Sequence, residues 1–229
     1  MLNLQNLDTN LWVVDHFLPF LGVNLGTRTT LLRLAEHSLC LISPGPGLDS
    51  LVSQIQTLGE VHFILAPNTM HHLSLAATQG LFPQAQIFGP AGLKAKQPSL
   101  SYQGFEQAPW REQLQVLAVQ GLGSLQEHVF FHAASKTLIA TDLVFHFQSA
   151  PNLWSRGMMK LNGCYQHFGP SRVLRSLIKD RSALRQSLEH ILLWDFDRVI
   201  MAHGEVLLYG GKEQLKKAYQ RIGILPSSA

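Results

Sequence analysis

The chain has 229 residues, 46% of them hydrophobic and 14% charged, with a formal net charge of +3. That balance supplies a core for one α/β domain over 1–229 and excludes a disordered chain, while so small a basic surplus, with no ladder of bases and aromatics, argues against nucleic acid as a partner. With two unpatterned cysteines, no apolar run of about 18 residues and no signal-like leader, the chain is expected to be cytoplasmic, without disulfides, a thiolate zinc site or a membrane partner.

Residues 10–15 and 29–34 are rich in the β-branched and aromatic residues of strands. Glu36-His37-Ser38 turns the chain into another strand at 39–43, and Pro44-Gly45-Pro46-Gly47 then sustains neither strand nor helix. Leu51, Ile55 and Leu58 give 49–58 helical spacing. Val61 to Leu65 is a short apolar strand, and Pro67-Asn68 turns it into a helix expected to start near His71. Strands follow at 85–88, 114–119 and 128–132, and Ala133-Ala134-Ser135-Lys136 turns the last of these into 137–141 as a hairpin. Residues 146–170 mix Pro, Asn, Gly, aromatics and Met158-Met159 without a clean period. They are too apolar for a linker and read as a lid or insertion. Ser182 to Trp194 is an amphipathic helix, Arg198 to Met201 a strand, and Lys212 to Arg221 a last helix. Strands first, then helices interleaved with strands, predict two sheets with helices outside: an α/β fold, the αββα four-layer sandwich. The turn at 44–47 and the isolated Gly121-Leu122-Gly123 lack the spacing of a dinucleotide fingerprint.

Two strand ends carry imidazoles, Ala66-Pro67-Asn68-Thr69-Met70-His71-His72 and Ile200-Met201-Ala202-His203-Gly204, and a third, Leu138 to Asp142, carries a carboxylate. Such strand ends are where α/β proteins build metal and catalytic sites. The chain has eleven histidines, so each must be weighed against an ordinary core or surface role. His72, Asp142 and His203 read as metal ligands by order and placement. His71 reads as a ligand or as a base or donor beside the ion. Asn68 is a weak ligand or a turn former, Thr141 a hydrogen-bond donor to a ligand carboxylate or a sheet filler, and Glu205 a support behind the ligands or an exposed loop acid. His146 follows Asp142 closely enough to line the same cleft, and Tyr165 and His167 fall in the lid. His128 and His132 share a strand face and read as structural or surface residues, while His16, His37, His62 and His190 have no partner visible in the sequence. Arg28 is a substrate-anion contact or a structural ion pair. Arg172, Arg175, Lys179, Arg181 and Arg185 read as the wet face of helices ahead of an anion surface.

The order of these pieces resembles the metallo-β-lactamase superfamily almost end to end. Leu41-Ile42-Ser43-Pro44-Gly45 is similar to its apolar strand ending in Asp-Thr-Gly or a variant. Its His-x-His-x-Asp-His motif falls on Pro67, Asn68, Thr69, Met70, His71 and His72, and Thr137 to Leu143 and Ile200 to Gly204 resemble the strands bearing the bridging Asp and the final His-Gly. Gly26-Thr27-Arg28, Ala66-Pro67-Asn68, His71-His72, Thr141-Asp142-Leu143 and Ala202-His203-Gly204-Glu205 together resemble a branch with a degenerate metal motif. The resemblance implies that one metal subsite, at Pro67, Thr69 and about Ser124, has lost its ligands. It implies that the other, at His71, His72, Asp142 and His203, is complete.

Three imidazoles and one carboxylate suit one divalent metal: Zn, Fe or Mn. Adjacent histidines point oppositely on a strand, but where a loop enters a helix they diverge by about 100° and can converge on one ion. A metal-bound water, its pKa lowered to about 7, is the implied nucleophile. The expectation is a metal-dependent hydrolase with a mononuclear site, catalytic positions His71 and Asp142, and a small-molecule ester, amide, thioester or phosphoester as substrate. The alternatives are a non-catalytic binding or scaffold protein with a structural metal or none, and a redox protein with a single Fe(II). A dinuclear lactamase is not expected.

Overall fold

The computed structural model describes residues 2–20, 22–34 and 37–227. Its first sheet opens with β1 (Leu4–Asp8) and β2 (Leu11–His16). After a small hairpin, β3 (Pro19–Phe20) and β4 (Val23–Asn24), it continues through β5 (Thr27–Arg33), β6 (Ser38–Ile42), β7 (Glu60–Leu65) and β8 (Gln86–Phe88). The spatial order is β1-β2-β5-β6-β7-β8, antiparallel as far as β6 and parallel from β6 to β8. Parallel neighbours need crossovers, supplied by the helices α1 (Val52–Leu58) and α2 (Leu75–Leu81), with a short α3 (Leu93–Lys96) after β8.

The second sheet holds β9 (Gln115–Ala118), β10 (His128–His132), β11 (Thr137–Ile139) and β12 (Arg198–Ile200), ordered β12-β11-β10-β9. β9, β10 and β11 form an antiparallel meander, and β12 joins β11 in parallel. Between those two the chain forms α4 (Leu153–Leu161), α5 (Arg172–Ser176) and α6 (Arg181–Ile191), and α7 (Gly211–Arg221) follows β12.

The period of two along the strands sorts the apolar residues into layers. Leu39 and Leu41 of β6 pack outward with Leu51, Ile55 and Leu75, while Cys40 and Ile42 point inward to Phe130, Ile139 and Ile200 of the other sheet. Val129 and Phe131 of β10 turn the opposite way, onto Leu184 and Leu188 of α6 and Tyr219 of α7. Helix, sheet, sheet and helix therefore stack in that order, the expected αββα sandwich. Cys40 is one of the inward residues, and burial pushes its thiol far up, as suits an inert core side chain.

Several elements differ from expectation. The helix expected near His71 begins at Leu75, because the Asn68 side-chain oxygen Oδ1 accepts from the Met70 and His71 N–H groups and holds the chain in a turn. The stretch 146–170 contains α4, which Asn152 caps by accepting from the Ser155 N–H at 2.8 Å. Pro151 before the helix and Gly157 within it hid its period, yet Met159 packs with Val23, Phe145 and Phe147. β1 was absent from the sequence reading because Leu-Gln-Asn-Leu-Asp carries no β-branched residue. Glu36 of the expected turn lies outside the described residues. Among the described residues no helix is long and apolar enough to cross a membrane.

Candidate metal centre

β6 and β7 are parallel neighbours in one sheet, and β11 and β12 are parallel neighbours in the other. Their carboxyl ends release Ser43, the turn 66–71, Asp142 and His203 respectively, and the stacking of the sheets brings these segments together. His71 Nε2 lies 3.3 Å from Asp142 Oδ2, and His203 Nε2 lies 3.3 Å from Asp142 Oδ1. The imidazole centroids are 5.7 Å apart. One ligand atom from each of the three residues falls within 4.8 Å of the others.

The outer nitrogens of both rings are engaged. His203 Nδ1 is 2.7 Å from the Gly26 carbonyl oxygen, which can only accept, so Nδ1 carries a hydrogen and Nε2 faces Asp142, donating to it when the ring is protonated and offering a lone pair to an ion when the ring is neutral. His71 Nδ1 is 2.6 Å from Ser43 Oγ. Ser43 takes a left-handed φ of 57°, unusual for a residue with a Cβ, at the point where its hydroxyl meets His71. The Phe145 ring stacks on His203 at 5.3 Å and 6°.

Behind Asp142 stands Glu127, a residue absent from the sequence reading. Its Oε1 accepts from the Thr141 N–H at 3.0 Å, the Thr141 hydroxyl at 2.7 Å and the Asp142 N–H at 3.1 Å. Its Oε2 accepts from the Asn68 amide, which also donates to Asp142 Oδ2 at 2.8 Å. A signal was present. By the period of two Glu127 belongs to the side of β10 that carries Val129 and Phe131, where an acid contradicts the apolar pattern.

The electrostatics follow from enclosure. For Asp142, burial alone would raise the pKa, but His71 and His203 hold it well below the carboxylate range. For His71, burial works downward and the Asp142 carboxylate outweighs it, leaving a net rise. Glu127 is pushed up by burial first and by Asp142 second, against the hydrogen bonds from Asn68 and Thr141.

These donors fit a first-row divalent ion. Two imidazole nitrogens and a carboxylate oxygen are the donor set of zinc, iron and manganese sites. The 3.3 Å separations exceed the roughly 2.7–2.9 Å of a charge-assisted hydrogen bond. They match the spacing of about 3.0–3.4 Å between ligand atoms that share an ion at about 2.1 Å.

His72 stands apart from this group. Its Nδ1 lies 3.1 Å from Gln97 Nε2, and its pKa is lowered by burial and by Lys96. Because 71–74 is a turn and not the first turn of a helix, the consecutive imidazoles diverge instead of converging. Asn68 and Thr141 belong to the network around Asp142. His146 and Glu205 brace the loop beyond His203: His146 Nδ1 is 3.0 Å from the Glu205 carbonyl oxygen, and the Glu205 carboxylate accepts from the Gln148 N–H at 2.7 Å. Arg28 is a structural ion pair, 2.7 Å from Asp15 and donating to the Met201 carbonyl at 2.7 Å. His16 does have partners: Nδ1 is 2.7 Å from the Pro46 carbonyl oxygen and Nε2 2.7 Å from Thr29 Oγ1. The Thr69 hydroxyl donates to the Ser124 carbonyl at 2.9 Å. Arg172, Arg175 and Arg181 line a surface hollow of about 510 Å³, with Arg181 also donating to the Ile222 and Gly223 carbonyls.

Comparison with known proteins extends this picture. A family model described as a domain of unknown function (DUF4336) matches residues 8–162, more than half of the chain. A search of curated protein sequences found no match. Among solved structures, a metallo-β-lactamase from Pontibacter korlensis is similar at a TM-score of 0.65 and 14% identity, covering 93% of this chain and 97% of that one. The metallo-β-lactamase FIM-1 from Pseudomonas aeruginosa, in its mono-zinc form, is similar at 0.66 and 9% identity, covering 98% and 97%. The Flv1 flavodiiron core from Synechocystis sp. PCC6803, metal soaked, is similar at 0.66 and 12%, covering 96% of this chain and 60% of that one. At these identities the likeness is one of fold: the chain has the metallo-β-lactamase fold.

Proposed function

The chain belongs to the DUF4336 family, a domain of unknown function, and we propose that it is a metal-dependent hydrolase whose one divalent ion is held by His71, Asp142 and His203. The observation that carries this reading is the convergence of two inward-facing imidazoles on one carboxylate at the carboxyl ends of parallel strands. A divalent ion bound there supplies a Lewis acid and lowers the pKa of a coordinated water to about 7. The chain's own groups prepare the site. The Gly26 carbonyl fixes the His203 tautomer, and the Ser43 hydroxyl aims His71. Asp142 offers an oxygen to each imidazole in turn, so removing its charge dismantles both contacts. Phe145 stacks on one face of His203. A single ion is the state named for FIM-1 in its mono-zinc form, and the mononuclear reading is supported by Thr69 and Ser124, two positions of the subsite that the resemblance implies is lost, being engaged with each other. The substrate class proposed is a small ester, amide, thioester or phosphoester.

One observation favours a second reading. The side chains of His71, Asp142 and His203 are only 10%, 14% and 9% exposed, as suits a structural ion in a non-catalytic binding protein. The test of both begins with elemental mass spectrometry on protein purified without added metal or affinity tag, alongside Asp142→Ala and His203→Ala. Close to one equivalent of zinc, iron or manganese, lost in both variants, supports the centre, and a hydrolysis screen with the loaded protein then separates enzyme from module. A wild type that carries no metal and takes up neither zinc nor Fe(II) sinks the hydrolase reading.

A further inference from the structure

We propose that Glu127 is the positioning residue of this centre, orienting Asp142 toward the two imidazoles through Asn68 and through the Thr141–Asp142 backbone; the inference rests on the metal reading above. Glu127 is fully buried. A buried carboxylate is costly unless it is well paired by hydrogen bonds, and each contact it makes is with a group that donates: the Thr141 N–H and hydroxyl, the Asp142 N–H and the Asn68 amide.

The network has a direction. Oε1 grips the backbone of the two residues that carry Asp142 out of the sheet. Oε2 holds one side of the Asn68 amide, which also donates to Asp142 Oδ2, the oxygen that faces His71, at 2.8 Å and lies 3.2 Å from the Thr141 hydroxyl oxygen. The Asn68 side-chain oxygen Oδ1 meanwhile accepts from the Met70 and His71 N–H groups at 2.7 and 3.0 Å. One carboxylate thus ties together the strand end that carries Asp142 and the turn that carries His71, although it touches neither imidazole. Supports of this kind act on a metal by fixing ligand direction.

The experiment measures Co(II) and Zn(II) affinity by chelator competition, together with the visible spectrum of the Co(II) form, for wild type, Glu127→Gln and Thr141→Val. In Glu127→Gln an amide group would face the Asn68 amide donor to donor, releasing Asp142 Oδ2. Affinity is expected to fall by about 10- to 100-fold and the Co(II) bands to shift, because the Asp142 oxygen changes its approach. Thr141→Val removes one donor to Glu127 and a longer, 3.2 Å acceptor of the Asn68 amide but leaves the backbone bonds, so a loss near the lower end of that range is expected. This milder variant decides the matter if Glu127→Gln does not fold. Folded variants that bind as tightly as wild type with the wild-type Co(II) spectrum would overturn the role of Glu127 and leave the metal centre standing. A folded wild type that binds neither ion would instead overturn the metal reading, and the role of Glu127 with it.

Discussion

The imidazole of His203 hangs from the carbonyl of Gly26, 177 residues earlier in the chain, at 2.7 Å. The contact sets the tautomer of a residue at the end of one sheet from the loop that feeds the other. Gly26 takes a φ of +60°, a conformation that a side chain disfavours. Gly26→Ala should therefore cost about 1 kcal/mol of stability and, by moving the carbonyl, weaken zinc binding by about 10-fold. Thermal melts with and without zinc test this. An unchanged difference between the two melts would dissociate Gly26 from the centre.

The adjacent histidines should behave differently. His71→Ala removes a group 3.3 Å from Asp142, whereas His72→Ala removes one whose Nδ1 faces Gln97. Metal content is expected to be lost in the first variant and retained in the second. Equal losses would mean that His72 swings inward to complete the coordination.

Gly45 lies against His16, and a Cβ built at Gly45 would stand 2.3 Å from His16 Cδ2. The ring cannot retreat, because both of its nitrogens are engaged at 2.7 Å. Gly45→Ala should destabilise the protein by about 3 kcal/mol. Adding His16→Ala should recover part of that loss, the non-additivity expected of two residues in contact. Strictly additive denaturation midpoints would refute the steric account.

Stability should depend on pH through the buried imidazoles. His16, His128 and His132 all have pKa values lowered from 6.5, in each case first by burial. Below pH 6.5 the unfolded chain binds protons that the folded chain refuses, so their contribution is present above that pH and is lost as the pH falls. His71, whose pKa is raised, acts in a separate window: its contribution is present below 6.5 and is lost as the pH rises through its folded value. Glu127, raised from 4.5, opposes the three from the acid side. A variant isolates the effect. His16→Gln should be less stable than wild type at pH 7 yet lose less on going to pH 5. Parallel pH profiles for the two proteins would remove His16 from the account.

The sandwich was legible in the sequence because strands covered on both faces read as continuous apolar runs, and because strands come first and helices interleaved with strands follow. Cys40 and Ile42 belong to one core layer while Leu39 and Leu41 belong to another. The strand ends were legible for the same reason: Asp142 and His203 follow apolar runs that can only be interior. α4 was obscured by Gly157, which broke a pattern that packing against Val23 and Phe147 restores. The partners of His16 lie 13 and 30 residues away, beyond any local spacing rule. The separation of His72 from His71 depends on the Asn68 turn, which delays the helix to Leu75. Glu127 violated the apolar phase of its strand, a departure that gains meaning only once a neighbouring site is in view.

Asn68 has each of its valences spoken for. Its amide hydrogens go to two carboxylates and its carbonyl oxygen to two backbone N–H groups. No other side chain reproduces that pattern at that length. Aspartate would set a third negative charge between Glu127 and Asp142. Serine could supply only a single hydrogen, and glutamine would overreach by a methylene. The position thus has no conservative neighbour in the genetic code, and a saturation library at codon 68 should return a single amino acid wherever the centre is under selection.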